Sequence, residues 1–391
     1  MRGWTLAIDF GTSFTTAATW SDGQVSVLEI ENSRYLPSLV CLGEDGSLLT
    51  GAAARQLAAQ LAGNAERAPK RSLIRSPEVR LGSRTVACTD LAGAVLGRVY
   101  AEALAHHPGD PPGRVVLTHP AAWRDHELSL LVKAAQAAGL AEPVLLPEPV
   151  AAALHYARER EFPAAGHVAV YDLGGGTFDV AVLRRTASGA GFEVVGSPGG
   201  DPDLGGEDLT EALRELVGRH ARERDPRPWD ELWALAGAAG ARERAVARRD
   251  ISEAKEALSA TTSVRISVRG YPEPFLVGRH EYEEAIEDCL QRSITRLAST
   301  VASAGLSPAD LAAVLLAGGA SRTPRVSDLL AGQLGPLPLT SADPKCAVVL
   351  GALAGTVQSP APADARRHGP ERDTRAPRLF HHVTADQFGE A

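Results

Sequence analysis

The sequence predicts an α/β protein built from two similar lobes. Three observations lead there. A chain of 391 residues is long enough to divide into two or more domains, each with its own core. Short apolar runs alternate with alanine-rich helical stretches, the order of an α/β architecture. One unit also occurs twice, at residues 6–13 and 168–183: an apolar strand, Asp, an apolar residue, Gly and then a hydroxyl.

The second copy is the fuller one. Residues 168–171 are an apolar strand ended by Asp172; Gly174, Gly175 and Gly176 make a turn; Thr177 adds a hydroxyl at its exit, and 180–183 leave as a second strand. Three successive glycines take every Cβ off the turn, so backbone N–H groups can approach a phosphate and form an anion-binding concavity. A carboxylate at Asp172 can hold a hydrated Mg²⁺. Three glycines alone are better described as an ordinary hairpin tip. The first copy, with Asp9, Gly11, Thr12 and Ser13, turns the pair toward one nucleotide between two lobes.

In chain order, strands are predicted at 4–10, 15–20 and 24–30, the last two joined by Ser21-Asp22-Gly23. Strands at 35–42 and 47–50 flank a turn at 44–46. The stretch 52–61 reads as helix, and 68–75 as a polar-basic loop or short helix. Thr89 and Asp90 cap a helix to about residue 106, with Leu91, Val95, Leu96 and Val99 on one face. A strand at 114–118 ends at Pro120, a helix at 125–138 is stopped by Gly139, and a strand follows at 143–146. Glu148-Pro149 opens an alanine-rich helix to about 160.

After the glycine hairpin, a strand at 192–197 leads to Gly205 and Gly206, a turn suited to face a phosphate ahead of a helix at 208–222. Residues 223–250 are charged and helical, interrupted by Pro226 and Pro228; 251–259 continue the helix, and 263–268 are a strand. A long helix at 279–304 ends at Gly305, and an apolar strand at 311–317 runs into Gly318 and Gly319. Asp343 caps a last helix begun by Pro344. Lobe I is expected over 1–165, joined by the helix 343–357. Lobe II is expected over 166–342, with an inserted subdomain at about 210–305. Proline and mixed charge predict a disordered tail over 358–391.

A formal charge of −8 leaves no general basic footprint, so nucleic acid is not an expected partner. Apolar runs are too short to span a membrane, and the N-terminus turns polar at Asp9, too early for a signal peptide. Cys41, Cys88, Cys289 and Cys346 lie far apart, arguing against a zinc site or disulfide framework and for a reducing cytoplasm. Only Lys70, Lys133, Lys255 and Lys345 are lysines among the 40 basic residues. A chain that otherwise writes Arg keeps Lys where a compact ammonium is needed.

The double hairpin resembles the superfamily of actin, sugar kinases and heat-shock chaperones. Asp172-Leu-Gly-Gly-Gly-Thr-Phe-Asp179 is similar to the ATPase domain of the seventy-kilodalton heat-shock proteins. The resemblance covers about residues 4–357. It implies a two-lobed actin-like ATPase fold, duplicated ribonuclease-H-like domains with a nucleotide cleft between. It also implies ATP or ADP and Mg²⁺ as ligands. By it, Asp9, Gly11, Thr12 and Ser13 fall on the first phosphate hairpin, and Asp172, Gly174–Gly176, Thr177 and Asp179 on the second. Lys70 takes the place of the catalytic lysine that steadies the γ-phosphate and attacking water; read locally, it is an ordinary solvated lysine. Glu148, after the strand ending at Pro120, joins Asp9 and Asp172 around the water shell of Mg²⁺. The local reading is a helix-start Glu favoured by the dipole. Gly205 and Gly206 face phosphates and ribose, Lys255 and Ser259 contact ribose and adenine, and Gly318, Gly319 and Arg322 form the turn whose arginine stacks on adenine.

Departures accompany the match. Ser252 stands where the family has a ribose-binding glutamate, with Glu253 beside it; Glu256 stands where a basic stacker is common. Leu128 replaces the arginine that transmits a proline switch, Arg124 being one turn earlier. Nothing after Val357 resembles the family's acidic, leucine-rich linker or peptide-binding β-sandwich. The expected function is an ATP-binding, slowly hydrolysing nucleotide switch (ATP to ADP and phosphate), with an exchange factor or co-chaperone-like protein as a partner. A non-enzymatic ATP-bound scaffold or actin-like filament protein, and a small-molecule kinase of the same superfamily, are the other readings.

Overall fold

Period-two alternation gives the first strand, Thr5–Phe10, two different faces: Leu6 and Ile8 point one way and Ala7 the other. That strand lies at the centre of a sheet whose order is Val144–Pro147, Arg114–His119, Thr5–Phe10, Phe14–Ser21, Gln24–Val27. The first three are parallel and the last two antiparallel additions, with Leu36–Pro37 pairing off the path. A second sheet repeats the plan: Phe192–Asp201, Phe178–Arg185, His167–Leu173, Leu311–Ala317, Pro338–Leu339. Again a hairpin and a third antiparallel strand extend a parallel trio. The structure, a computed structural model, describes residues 3–335 and 338–357. The tail predicted at 358–391 lies outside them.

Three cores hold these sheets. Leu6 and Ile8 pack under the helices Cys88–His106 and Asp125–Ala137 through Leu91, Val95, Leu96 and Leu131. Tyr171, Phe178 and Val180 pack under Gly206–Arg224 and Arg279–Ser303 through Leu213, Ile286, Leu290 and Leu297. The third core joins the inner faces. Ala7, Ala18 and Val116 from the first sheet and Val168, Val170 and Leu315 from the second meet across the helices Glu148–Glu159 and Ala347–Val357. The alanine in these helices has a reason: a Cβ on Gly351 would lie 1.7 Å from the Ala151 carbonyl oxygen, so the helices cross nearly backbone to backbone. The helix Glu148–Glu159 therefore sits between the two sheets instead of on one.

Several expectations need correction. Thr89 and Asp90 cap nothing; the helix starts at Cys88 behind Ala87, because an unforeseen hairpin, Glu78–Leu81 with Arg84–Ala87, runs straight into it. The strand expected at 35–42 breaks into Leu36–Pro37 and Val40–Leu42, where Ser38 turns its hydroxyl to the Gly11 carbonyl at 2.7 Å. Pro226 starts the helix Pro226–Ala234, with the Asp225 side chain as its cap. Asp343 caps no helix through its carboxylate, which accepts a 2.6 Å bond from Tyr35 Oη, and the last helix starts at Ala347. The helix Pro324–Leu334 was not anticipated. Among the described residues no helix is long and apolar enough to cross a membrane.

Candidate functional site

Both glycine hairpins end at the same place. The C-terminal ends of the parallel strands in an open α/β sheet form a crevice outside the sheet. Here two such crevices face each other and enclose a cleft of about 650 Å³. Asp9, Gly11, Thr12 and Ser13 line it from one side, and Asp172, Gly174, Gly175 and Thr177 from the other. The tips touch: a Cβ on Gly175 would fall 2.4 Å from Ser13 Oγ, and one on Gly176 2.9 Å from Thr12 Cγ2. None of Gly11, Gly174, Gly175 and Gly176 has a positive φ, so space and not backbone conformation requires glycine there.

The floor is a carboxylate cluster around one ammonium. Lys70, on the helix Pro69–Arg75, lies 2.6 Å from Glu148 Oε1, and both residues are 7 % exposed. Neither local reading survives: Lys70 is not a solvated lysine, and Glu148 is more than a helix-start acid. Asp9 accepts a 2.7 Å bond from Thr118 Oγ1, and Asp179 accepts one from Thr177. Burial first, then the nearby Glu148 carboxylate, raises Asp9 and Asp179 to about 6. Burial, Glu148, Asp179 and Asp9 push Asp172 well above the usual range. Burial alone would lower Lys70, but Glu148 and Asp9 outweigh it and raise it. Four carboxylates thus share one positive partner. Among the described residues no three acidic, His or Cys side chains converge closely enough to ligate an ion directly.

The turn at Gly205 and Gly206 braces the second hairpin. The amides of Gly206 and Glu207 donate to the carbonyls of Gly174 and Gly175 at 2.9 and 2.7 Å, and that of Gly205 to Asp208 Oδ2 at 2.8 Å. Those donors are therefore committed to the protein, and Gly205 is packed against Gly176 away from the cleft wall. Lys255 and Ser259 line the cleft; Lys255 Nζ donates to the Gly206 carbonyl at 2.6 Å, and burial lowers its pKa to about 8. Gly318, with φ +77°, and Gly319 line it too. Arg322 is exposed and outside the lining, although the resemblance implies that it stacks on a base.

Two features were not foreseen. Arg71, next to Lys70, donates to the carbonyls of Gly176 and Pro202, tying the lysine helix to the opposite lobe; Arg75 continues the tie to Asp203 at 3.3 Å. Lys345 lies in the cleft wall between the Phe14 and Tyr35 rings. The scarcity of lysine was the available signal: three of the four, Lys70, Lys255 and Lys345, line this one cleft.

A model of the Hsp70 protein family matches residues 75–366, well over half the chain. This chain belongs to the Hsp70 family. The mixed α/β architecture with its duplicated sheets is that family's two-lobed actin-like ATPase fold. The matched segment starts beyond the first hairpin and Lys70. Relatives include the chaperone protein HscA of Pectobacterium carotovorum subsp. carotovorum (strain PC1), 33 % identical over 89 % of this chain and 57 % of that protein. The heat shock 70 kDa protein BIP3 of Oryza sativa subsp. japonica is 31 % identical over 89 % of this chain and 55 % of its own length. An HscA homolog of Azotobacter vinelandii (strain DJ / ATCC BAA-1303) is 32 % identical over 89 % and 56 %. The Hsp70-family chain thus spans little more than half the length of these relatives.

Proposed function

We propose that the chain is an ATP-binding, slowly hydrolysing nucleotide switch. The observation that carries this is the meeting of two glycine hairpins, each ending a carboxylate-bearing strand, at one cleft. The hairpin amides not used within the protein hold the β- and γ-phosphates. Asp9, Asp172 and Glu148 fit a hydrated Mg²⁺: among the described residues no three such side chains are grouped to ligate an ion directly, and with Asp179 they outnumber the one Lys70 ammonium beside them. When bound, that ion neutralises charge building on the phosphates.

The chain's own residues do the rest. Lys70 is held by Glu148 and presents an ammonium where the attacking water and γ-phosphate meet. Thr177, bonded to Asp179, orients that water, and a carboxylate whose pKa is raised to about 6 is suited to take its proton. Phosphoryl transfer needs position and charge more than covalent chemistry. Closure of the lobes is the output motion, with Arg71 linking the Lys70 helix to the second hairpin. A co-chaperone-like or exchange-factor partner and a cytoplasmic setting go with this reading.

Lys70→Ala tests it. Single-turnover hydrolysis of ATP falls about 100-fold or more, while ATP affinity stays within a few-fold. Unchanged turnover in a clean preparation refutes the assignment.

A further inference from the structure

The cation packed directly on Gly319 is a lysine. Arg322 is exposed and outside the lining, and the position after Lys255 carries an acid, Glu256. Lys345 fills the space. Its stem runs over Gly319, where a Cβ would lie 2.5 Å from Lys345 Cε. Its ammonium sits 5.4 Å from the Phe14 ring centroid and 4.9 Å from that of Tyr35, and donates to Glu256 Oε1 at 3.3 Å. The two rings stand edge to face at 6.4 Å, so they form an open corner around the charge. The Lys345 side chain is only 18 % exposed, whereas Glu256 is 59 % exposed, so the lysine is the fixed member of the pair.

We propose that Lys345 is the base-holding cation of this cleft, a determinant of affinity for the purine ring of the nucleotide. The proposal rests on the nucleotide-switch reading above. A cation beside aromatic rings is already partly desolvated and oriented, so a further π face is bound without reorganising the site. The flat glycine at 319 lets the lysine stem lie along the wall, leaving the ammonium and stem as the surface a planar base meets. Glu256 then positions the ammonium, and its exposure lets it swing aside when a base enters.

Calorimetric titrations of the full chain with MgADP and with magnesium tripolyphosphate, which has phosphates but no base, separate the possibilities. Lys345→Met keeps the stem and removes the charge. It weakens MgADP about tenfold, the size of one cation–π contact sheltered from water, and changes tripolyphosphate affinity less than about twofold. Lys345→Arg restores most of the MgADP affinity. Circular dichroism melting of each variant without ligand reports folding, and Lys345→Arg serves as the check if Lys345→Met melts early. Equal losses for both ligands, or no loss for either, with wild type binding MgADP, overturn the base-holding role alone. A wild type that binds neither MgADP nor MgATP overturns the nucleotide reading, and this proposal falls with it.

Discussion

The two hairpins have the same length and register but opposite surfaces. In each, a strand-end Asp is followed by one apolar residue and a four-residue turn; Asp9 pairs across the ladder with Thr16, and Asp172 with Asp179. The first turn is Gly-Thr-Ser-Phe and the second Gly-Gly-Gly-Thr. The side chains of the first, Thr12 and Ser13, press into the bare backbone of the second at Gly176 and Gly175. One hairpin is clothed and the other is naked because they meet tip to tip. The chemistry divides likewise: the first hairpin brings one carboxylate, bonded to Thr118, and the second brings two facing each other. Duplication supplied the scaffold, and the contact between copies explains the difference.

This comparison can be broken at its glycines. Gly11→Ala has the largest effect, because the new methyl would sit 2.2 Å from the Phe14 carbonyl oxygen, a backbone atom that cannot turn away. Urea denaturation is expected to show a loss of about 3 kcal/mol. Gly175→Ala meets only the Ser13 side chain, at 2.4 Å from its hydroxyl. About 1–2 kcal/mol is lost, and Ser13→Gly in the same chain recovers most of it. Equal, unrecoverable losses at both positions contradict the tip-to-tip packing.

A smaller effect sharpens the contrast between the two deeply placed lysines. Lys70 has a carboxylate at 2.6 Å and is raised; Lys255 has a carbonyl as its hydrogen-bond acceptor and is lowered to about 8, chiefly by burial. Since the unfolded side chain titrates near 10.4, between about 8 and 10 the unfolded chain holds the extra proton. The Lys255 contribution to stability therefore rises with pH across that window, by about 1 kcal/mol once solvent screening is allowed for. Urea midpoints at pH 7.5 and 9.5 should show this rise in wild type and lose it in Lys255→Met. Parallel behaviour of the two proteins sinks the explanation.

Much of this was legible in the sequence because it was written in local chemistry. Asp-Gly-hydroxyl turns after apolar strands, and the strand at Leu311–Ala317, follow from residue type and spacing. The alanine-rich helices were recognisable as helices, but their crossing at Ala151 and Gly351 is tertiary and left no local mark. Short hairpins such as Glu78–Leu81 with Arg84–Ala87 carry too little apolar periodicity to stand out. At the site, both hairpins except Gly176, with Lys70, Glu148, Gly206, Lys255, Ser259, Gly318 and Gly319, were brought to one cleft, and Gly205 was not. Arg322 was not, and Lys345 was missed as a wall residue, because only the folded chain shows which cation lies against Gly319.

The most direct test of two hairpins sharing one nucleotide is a calorimetric titration of the chain with ATP in Mg²⁺, repeated for Asp9→Asn and for Asp172→Asn. The account predicts one ATP per chain and an affinity that falls about tenfold or more with either substitution, one in each hairpin. Two ATP per chain, no binding, or an affinity indifferent to one of the two carboxylates would contradict it.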